Sequence, residues 1–352
     1  MNQSDQRDFV APASGEIWLL LDSLTFGGIE THVVELALGL KSFEQPIRVV
    51  LLTEFDRPSA IIGKLEALKL DYCYLHQLSD APSSKGFMSL LKQCRRACLR
   101  YQPRVIHAHG YKASLVSKLS SGTTRQVSTF HSGETPKGVV RLYDLFDRFS
   151  AFLSAHNFTV SQAISDKIPT QTHVLNNFIS VDGLTSSQGK QVAFVGRLSH
   201  EKGPDLFISV AEQLPQITFH LYGDGPMMQA LDHDSPSNLV FHGFQSDMRK
   251  VWPEIGLLLI TSRYEGLPMT ALEAMARGIP VISTRVGAIE SLISDKQNGW
   301  VANSIDDFPA LIQQWFELDN QLRQKIVHSA ENTITSHYST QAVIPQIIDS
   351  YR

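Results

Sequence analysis

From one end of the chain to the other, apolar runs of strand length alternate with stretches of helical periodicity. Strands are expected at residues 16–21, 47–52, 72–75, 105–108 and 126–130, with helices at 30–40, 59–68 and 87–100. Near-continuous apolar strands separated by helices imply parallel sheets covered on both faces, because parallel neighbours need a crossover and the usual crossover is a helix. The rhythm breaks at residues 176–189, a stretch rich in Asn, Ser, Gly and Thr that reads as a linker. It restarts with strands at 191–195, 218–222, 239–241, 257–261 and 280–283. Pro280 lacks a donor, so it fits only the first position of its strand.

The pattern predicts an α/β chain of two Rossmann-like, doubly wound parallel-sheet domains. A disordered start covers 1–14, the first domain 15–175, the linker 176–189, the second domain 190–335, and a closing helical stretch 336–352. A chain of 352 residues is long enough for two domains with separate cores. Ligands of open parallel sheets bind beyond the carboxyl ends of the strands, so the interdomain cleft is the expected site.

Cys73, Cys94 and Cys98 are too few and too unevenly placed for a disulfide framework, and a reducing compartment is expected. Cys94 and Cys98 stand four apart in a helical pattern, where zinc would need further ligands. Residues 1–14 are polar, and no stretch approaches the roughly 20 apolar residues of a membrane span. A soluble, cytoplasmic protein is expected. Through residue 175 there are 19 Lys+Arg against 16 Asp+Glu, or +3; the remainder has 12 against 19, or −7. Much of the basic excess lies in Lys92, Arg95, Arg96, Arg100 and Arg104. That stretch is either a solvated helix face or a weak attraction to an anionic acceptor or to anionic lipid, the latter at the inner face of the cytoplasmic membrane. Neither half is basic enough for nucleic acid.

Three sites carry chemistry. Gly27 and Gly28 lie in the turn between the first strand and its helix. Glycines there let the backbone approach a phosphate at a helix end with free N–H groups, although a tight turn alone would also use them. Neither a full Gly-x-Gly-x-x-Gly fingerprint nor a phosphate-loop lysine motif is present. The second site follows the first strand of the second domain, where Gly196 and Gly203 bracket Arg197 and Lys202. Two cations in one loop can grip a diphosphate from two directions. In the third, residues 260–274 run from strand through loop into helix. Glu265 stands in the loop, Pro268 suits the first helical turn, and Glu273 falls on the second turn. The two carboxylates can therefore reach different parts of one ligand.

The setting Glu-Gly-Leu-Pro-x-x-x-Leu-Glu-Ala-Met-Ala-x-Gly-x-Pro-Val-Ile, from Glu265 to Ile282, resembles the signature of the family-four retaining glycosyltransferases. The similarity extends over Gly223 to Pro226, Val286 to Glu290, Asn298 and Gly299, the Arg197–Lys202 loop and the Gly27–Gly28 turn. The resemblance implies the GT-B architecture, in which a closing helix crosses back onto the first domain. It implies a nucleotide-sugar donor, a glycan or lipid-linked acceptor, cell-surface polysaccharide or lipopolysaccharide assembly, and no cofactor or metal. Gly27, Gly28, Gly196, Arg197, Lys202, Gly266, Leu267 and Glu273 would bind the donor. Arg197 and Lys202 would neutralise the diphosphate, Glu265 would lie beside the transferred sugar, and Glu273 would hold the ribose. His131, in Thr129-Phe130-His131, would face the reacting centre.

Two positions depart from the family pattern. Gly287-Ala288 replaces a glycine pair, and Asn177-Phe178 replaces Asn-Gly. A sugar-nucleotide epimerase on the same double domain, or a non-catalytic nucleotide-sugar binder, are the alternatives. A phosphorylase lacks a pyridoxal lysine motif, and a dehydrogenase lacks the complete glycine fingerprint. Asp232-His233-Asp234 resembles an acid pair for metal but sits in a polar loop, and His107 and His109 read as structural or acceptor-lining.

Overall fold

The computed structural model describes residues 10–24, 27–131, 139–232 and 235–352. The chain forms two compact units: Met1–Asn176 with Val343–Arg352, and Asn177–Ala342. The first unit holds a seven-stranded sheet, β1 (Ile17–Leu21), β2 (Ile47–Leu51), β3 (Tyr72–Tyr74), β4 (Val105–His109), β5 (Arg125–Phe130), β6 (His156–Thr159) and β7 (His173–Val174). Its order is β3-β2-β1-β4-β5-β6-β7, and every pair is parallel. The second holds β8 (Gln191–Val195), β9 (Phe219–Tyr222), β10 (Leu239–Gly243), β11 (Ile255–Ile260), β12 (Val281–Thr284) and β13 (Trp300–Ala302). Their order is β10-β9-β8-β11-β12-β13, again all parallel. In both sheets the strand order reverses beside the first strand, next to β4 in one and β11 in the other. That reversal opens the crevice where such sheets bind ligands.

Every residue of β1, β2 and β4 is buried, as expected of strands covered on both faces. Arg48, inside β2, survives burial because Glu16 accepts from its Nε at 3.0 Å and its Nη2 at 3.2 Å. The expected strand over 72–75 stops at Tyr74, since Leu75 opens a helix, Leu75–Ser79, whose Gln77 amide accepts the Tyr74 N–H at 2.8 Å. Pro280 lies just before β12, leaving Val281 to start the ladder. Cys73, Cys94 and Cys98 are free and buried. Among the described residues no helix is long and apolar enough to cross a membrane.

Residues 177–189 are tied to the second unit. Ile179 bridges Ser339, and Ser187 N–H donates to the Arg277 carbonyl at 2.7 Å. The last helix, Thr340–Ser350, starts in the second unit and ends in the first. There Arg125 Nε donates to the Ser350 carbonyl at 3.0 Å, and the Tyr351 hydroxyl pairs with His107 Nδ1 at 2.7 Å.

Candidate functional site

In the first unit, polar groups gather beyond the carboxyl ends of β1, β4 and β5. Gly27 caps the helix Gly28–Ser42, and its N–H is already taken by the Glu30 carboxylate at 2.9 Å. A phosphate using the Gly27 N–H would have to displace Glu30. Gly28 faces open space, so its backbone is approachable. His32, on the same helix, packs its ring against His131 at 4.9 Å and His109 at 5.6 Å. His109 Nδ1 shares a hydrogen with His131 Nε2 at 3.1 Å. One nitrogen of each of the three imidazoles lies within 4.8 Å of the others, a constellation of ligand-type atoms that the sequence did not suggest.

Burial holds the His107, His109 and His131 imidazoles well below the ordinary histidine range, reinforced by the neighbouring rings. His107 is structural, anchored between Tyr351 and Thr129 Oγ1, the latter at 2.7 Å. His131 is only partly buried, and its depressed pKa leaves the imidazole neutral near pH 7, with a ring nitrogen able to accept a hydrogen bond. A pH prediction follows. Because the folded pKa values are depressed, the folded chain binds fewer protons than the unfolded chain below about 6.5, the unperturbed histidine value. Stability is therefore complete above that pH and is lost as pH falls below it. The urea midpoint should drop between pH 7 and pH 5.5; a flat profile would show that these histidines titrate normally.

In the second unit, the loops after β8 and β11 interlock. Lys202 Nζ contacts Glu265 Oε1 at 2.6 Å, and Ser262 Oγ donates to the same oxygen at 2.8 Å. The carboxylate is nearly buried, while the ammonium is about one-third exposed. Arg263 binds Asp205 through both nitrogens, at 2.9 and 2.6 Å, and its N–H donates to the Glu201 carbonyl at 2.7 Å. Gly203 has φ +64°, and a Cβ there would sit 2.2 Å from the Thr261 carbonyl oxygen, so the two loops touch backbone to backbone. Arg197 is exposed in the same loop as Lys202 and is not joined to Glu265.

The glycine departure now has a physical reading. Gly287 carries φ +53°, and a Cβ there would meet the Gly266 carbonyl oxygen at 1.9 Å, so position 287 demands glycine. Ala288 has an ordinary φ of −96°, and its N–H donates to Gly266 at 2.7 Å, so alanine costs nothing. Pro268 stands one position earlier than expected, as the extended cap of helix Met269–Met275. Glu273 lies on that helix, half-buried. The Leu267 side chain is core and its carbonyl accepts from Asn177 Nδ2 at 3.1 Å, so a ligand could meet this residue only through its backbone. Gly196 N–H is taken by the Tyr222 carbonyl at 3.0 Å. His233 and Asp234 lie outside the described residues.

Sequence reasoning missed three features: His32, the Arg263–Asp205 brace, and the Lys112–Asp22 pair at 2.7 Å beside β1. Only the last had a signal, a lysine just past the His109-Gly110 turn.

Two doubly wound units with polar residues beyond the carboxyl ends of their strands define a chain of the double-Rossmann class. The chain belongs to the glycosyltransferases: the family model described as Glycosyltransferase Family 4 matches residues 26–182, and that described as Glycosyl transferases group 1 matches residues 177–333. An O-antigen biosynthesis glycosyltransferase of Escherichia coli, WbnH, is 30% identical over 153 residues, which is 43% of this chain and 44% of that protein. The chain thus matches less than half the length of that relative. The UDP-Gal:alpha-D-GlcNAc-diphosphoundecaprenol alpha-1,3-galactosyltransferase of Escherichia coli is 22% identical over 76% of this chain and 79% of its own. Among solved structures, Anabaena Alr3699/HepE in complex with UDP superposes with a TM-score of 0.75 at 20% identity, over 95% of this chain and 99% of that one. That likeness is one of fold, and the fold is GT-B.

Proposed function

We propose that the chain transfers a sugar from a uridine diphosphate donor to a lipid-linked glycan acceptor, with retention of anomeric configuration, in surface-polysaccharide assembly. The observation that carries this reading is the Lys202–Glu265 pair at 2.6 Å, with Arg197 exposed in the same loop. Cleaving a sugar–phosphate bond builds negative charge on the departing diphosphate and positive character at the sugar carbon. Fixed cations suit the first and a carboxylate suits the second. The ammonium of Lys202 has three donors, so it can hold Glu265 and a phosphate oxygen together. Uridine is supported by two relatives, one named for UDP-Gal and one solved with UDP. The galactosyltransferase named for a diphosphoundecaprenol acceptor supports the lipid-linked class. In this reading neutral His131 serves the acceptor hydroxyl, Glu273 the ribose, and the reaction needs no metal.

The test is a panel of UDP-hexoses with an undecaprenyl-diphosphate-linked sugar. UDP release should match the mass gained by the acceptor, the product's anomeric NMR signal should keep the donor's configuration, and excess EDTA should leave the rate unchanged. Epimerisation of the donor without acceptor would replace transfer by the epimerase reading. A rate abolished by EDTA and restored by a divalent cation would move the catalytic charge to a metal.

A further inference from the structure

The helix Val139–Phe149 is built inside out for a protein in water. Its inward side is polar and aromatic: Asp147, buried, receives Lys118 Nζ at 2.7 Å, and the Tyr143 ring packs on Tyr111 and Phe87 at centroid distances of 6.2 and 5.9 Å. Its outward side carries Leu142, Leu145, Phe146 and Phe149, at the i, i+3, i+4, i+7 spacing of one helical stripe, all exposed. The following turn, Ala151–Leu153, adds Phe152 and Leu153, with Phe152 71% exposed. Scattered exposed apolar residues need no explanation, but a contiguous stripe marks an interaction surface.

The charge around the stripe identifies the partner. This helix packs on Tyr111–Ser120, which packs on Phe87–Tyr101. Across the three helices stand eight cations: Lys92, Arg95, Arg96, Arg100, Lys112, Lys118, Arg141 and Arg148. Lys118 is buried, and Arg100 and Lys112 are paired with Asp80 and Asp22 of other elements, so the outward charge rests on Lys92, Arg95, Arg96 and Arg141. The only carboxylates on the three helices are Asp144 and Asp147, paired with Arg148 at 2.9 Å and with Lys118. Beside the stripe, a hollow of about 310 Å³ is lined by Arg141, Arg148 and Lys167 against the single carboxylate of Asp144, together with Leu145 and Phe149. A second, of about 550 Å³, is lined by Lys92, Arg95 and Arg96 against Leu119. Apolar side chains rimmed by cations, with cationic hollows fit for phosphodiester groups, match the boundary of an anionic bilayer.

We infer that the face of the first unit formed by helices Phe87–Tyr101, Tyr111–Ser120 and Val139–Phe149 docks on an anionic lipid bilayer, with the Leu142–Leu145–Phe146–Phe149 stripe entering the acyl boundary. The inference stands on this surface alone, independently of the proposed transfer reaction. It assigns the membrane contact to the apolar stripe, with the basic helix Phe87–Tyr101 as its electrostatic flank.

Co-sedimentation of the full chain with phosphatidylcholine vesicles, with or without 30% phosphatidylglycerol, tests it. The wild-type chain should sediment with phosphatidylglycerol vesicles at low salt and much less with phosphatidylcholine alone. Phe146→Ser/Phe149→Ser should weaken binding more than tenfold, and so should Lys92→Glu/Arg95→Glu/Arg96→Glu, while the urea midpoint of each variant stays within experimental error of wild type. A variant whose midpoint falls is replaced by Phe152→Ser, which lies outside the helix and should weaken binding in the same direction. Wild-type chain that stays in the supernatant, or variants that bind as well as wild type, would overturn the inference. So would a dimer in light scattering that dissociates on Phe146→Ser/Phe149→Ser, since the stripe would then face a second copy of the chain. Vesicle binding without sugar transfer would leave this inference intact and remove only the proposed reaction.

Discussion

Glu265→Gln is expected to lower kcat about 100- to 1,000-fold, the usual cost of removing one preorganised charge from a reacting centre, with UDP affinity changed little. The reason lies in how the side chain is held. Its Oε1 accepts from Lys202 and Ser262, and its loop is clamped by the Arg263–Asp205 pair and by the Gly287 turn against Gly266. A carboxylate fixed this way costs no reorganisation when positive character develops beside it. Glutamine keeps the shape and the Ser262 contact but removes the charge. Glu273 sits differently, on helix Met269–Met275, where its contribution under the proposed function is the same before and during reaction. Uniform binding of that kind acts on the Michaelis constant, and binding made only in the transition state acts on turnover. Glu273→Gln should therefore raise the donor KM by about 10-fold, the effect of about 1.4 kcal/mol, with kcat largely kept. Steady-state rates with donor varied at saturating acceptor separate the two. Equal behaviour of the two variants would mean that the carboxylates share one role.

The sheet cores were legible because their strands are buried on both faces and so read as unbroken apolar runs, as in β1 and β11. What escaped was short, polar or at an edge. β6 contains His156 and Asn157, β7 is two exposed residues, and β13 is three residues at the end of its sheet. For the helix Val139–Phe149, periodicity cannot say which way a stripe faces, and here the apolar stripe faces outward. In the candidate site, Glu265, Lys202 and their glycines were legible because loop chemistry is compressed into short motifs. His32 was not. It meets His109 and His131 only because strand order places β1, β4 and β5 side by side, and no local spacing encodes that order. The Arg263–Asp205 brace joins two loops through tertiary contact and was equally silent.

Lys202→Ala should weaken UDP binding more than Arg197→Ala, although both residues were expected from sequence to serve the diphosphate alike. Losing one hydrogen bond to a charged group costs roughly 1.5–3 kcal/mol, or about 10- to 150-fold in affinity, and that range covers Arg197→Ala. Lys202 carries a second duty. It neutralises Glu265, whose side chain is only 10% exposed. Without the ammonium, that carboxylate keeps the Ser262 hydroxyl but faces an incoming diphosphate as an unscreened like charge. The loss in Lys202→Ala is therefore the missing phosphate contact plus a new repulsion. Only the repulsion can be relieved by a second change. Lys202→Ala/Glu265→Gln should bind UDP more tightly than Lys202→Ala alone, while Arg197→Ala/Glu265→Gln should bind no better than Arg197→Ala. Calorimetry with UDP across both double-mutant cycles measures the coupling directly. If Glu265→Gln restores nothing in the Lys202→Ala background, the Lys202–Glu265 contact is a structural pair and the diphosphate binds elsewhere.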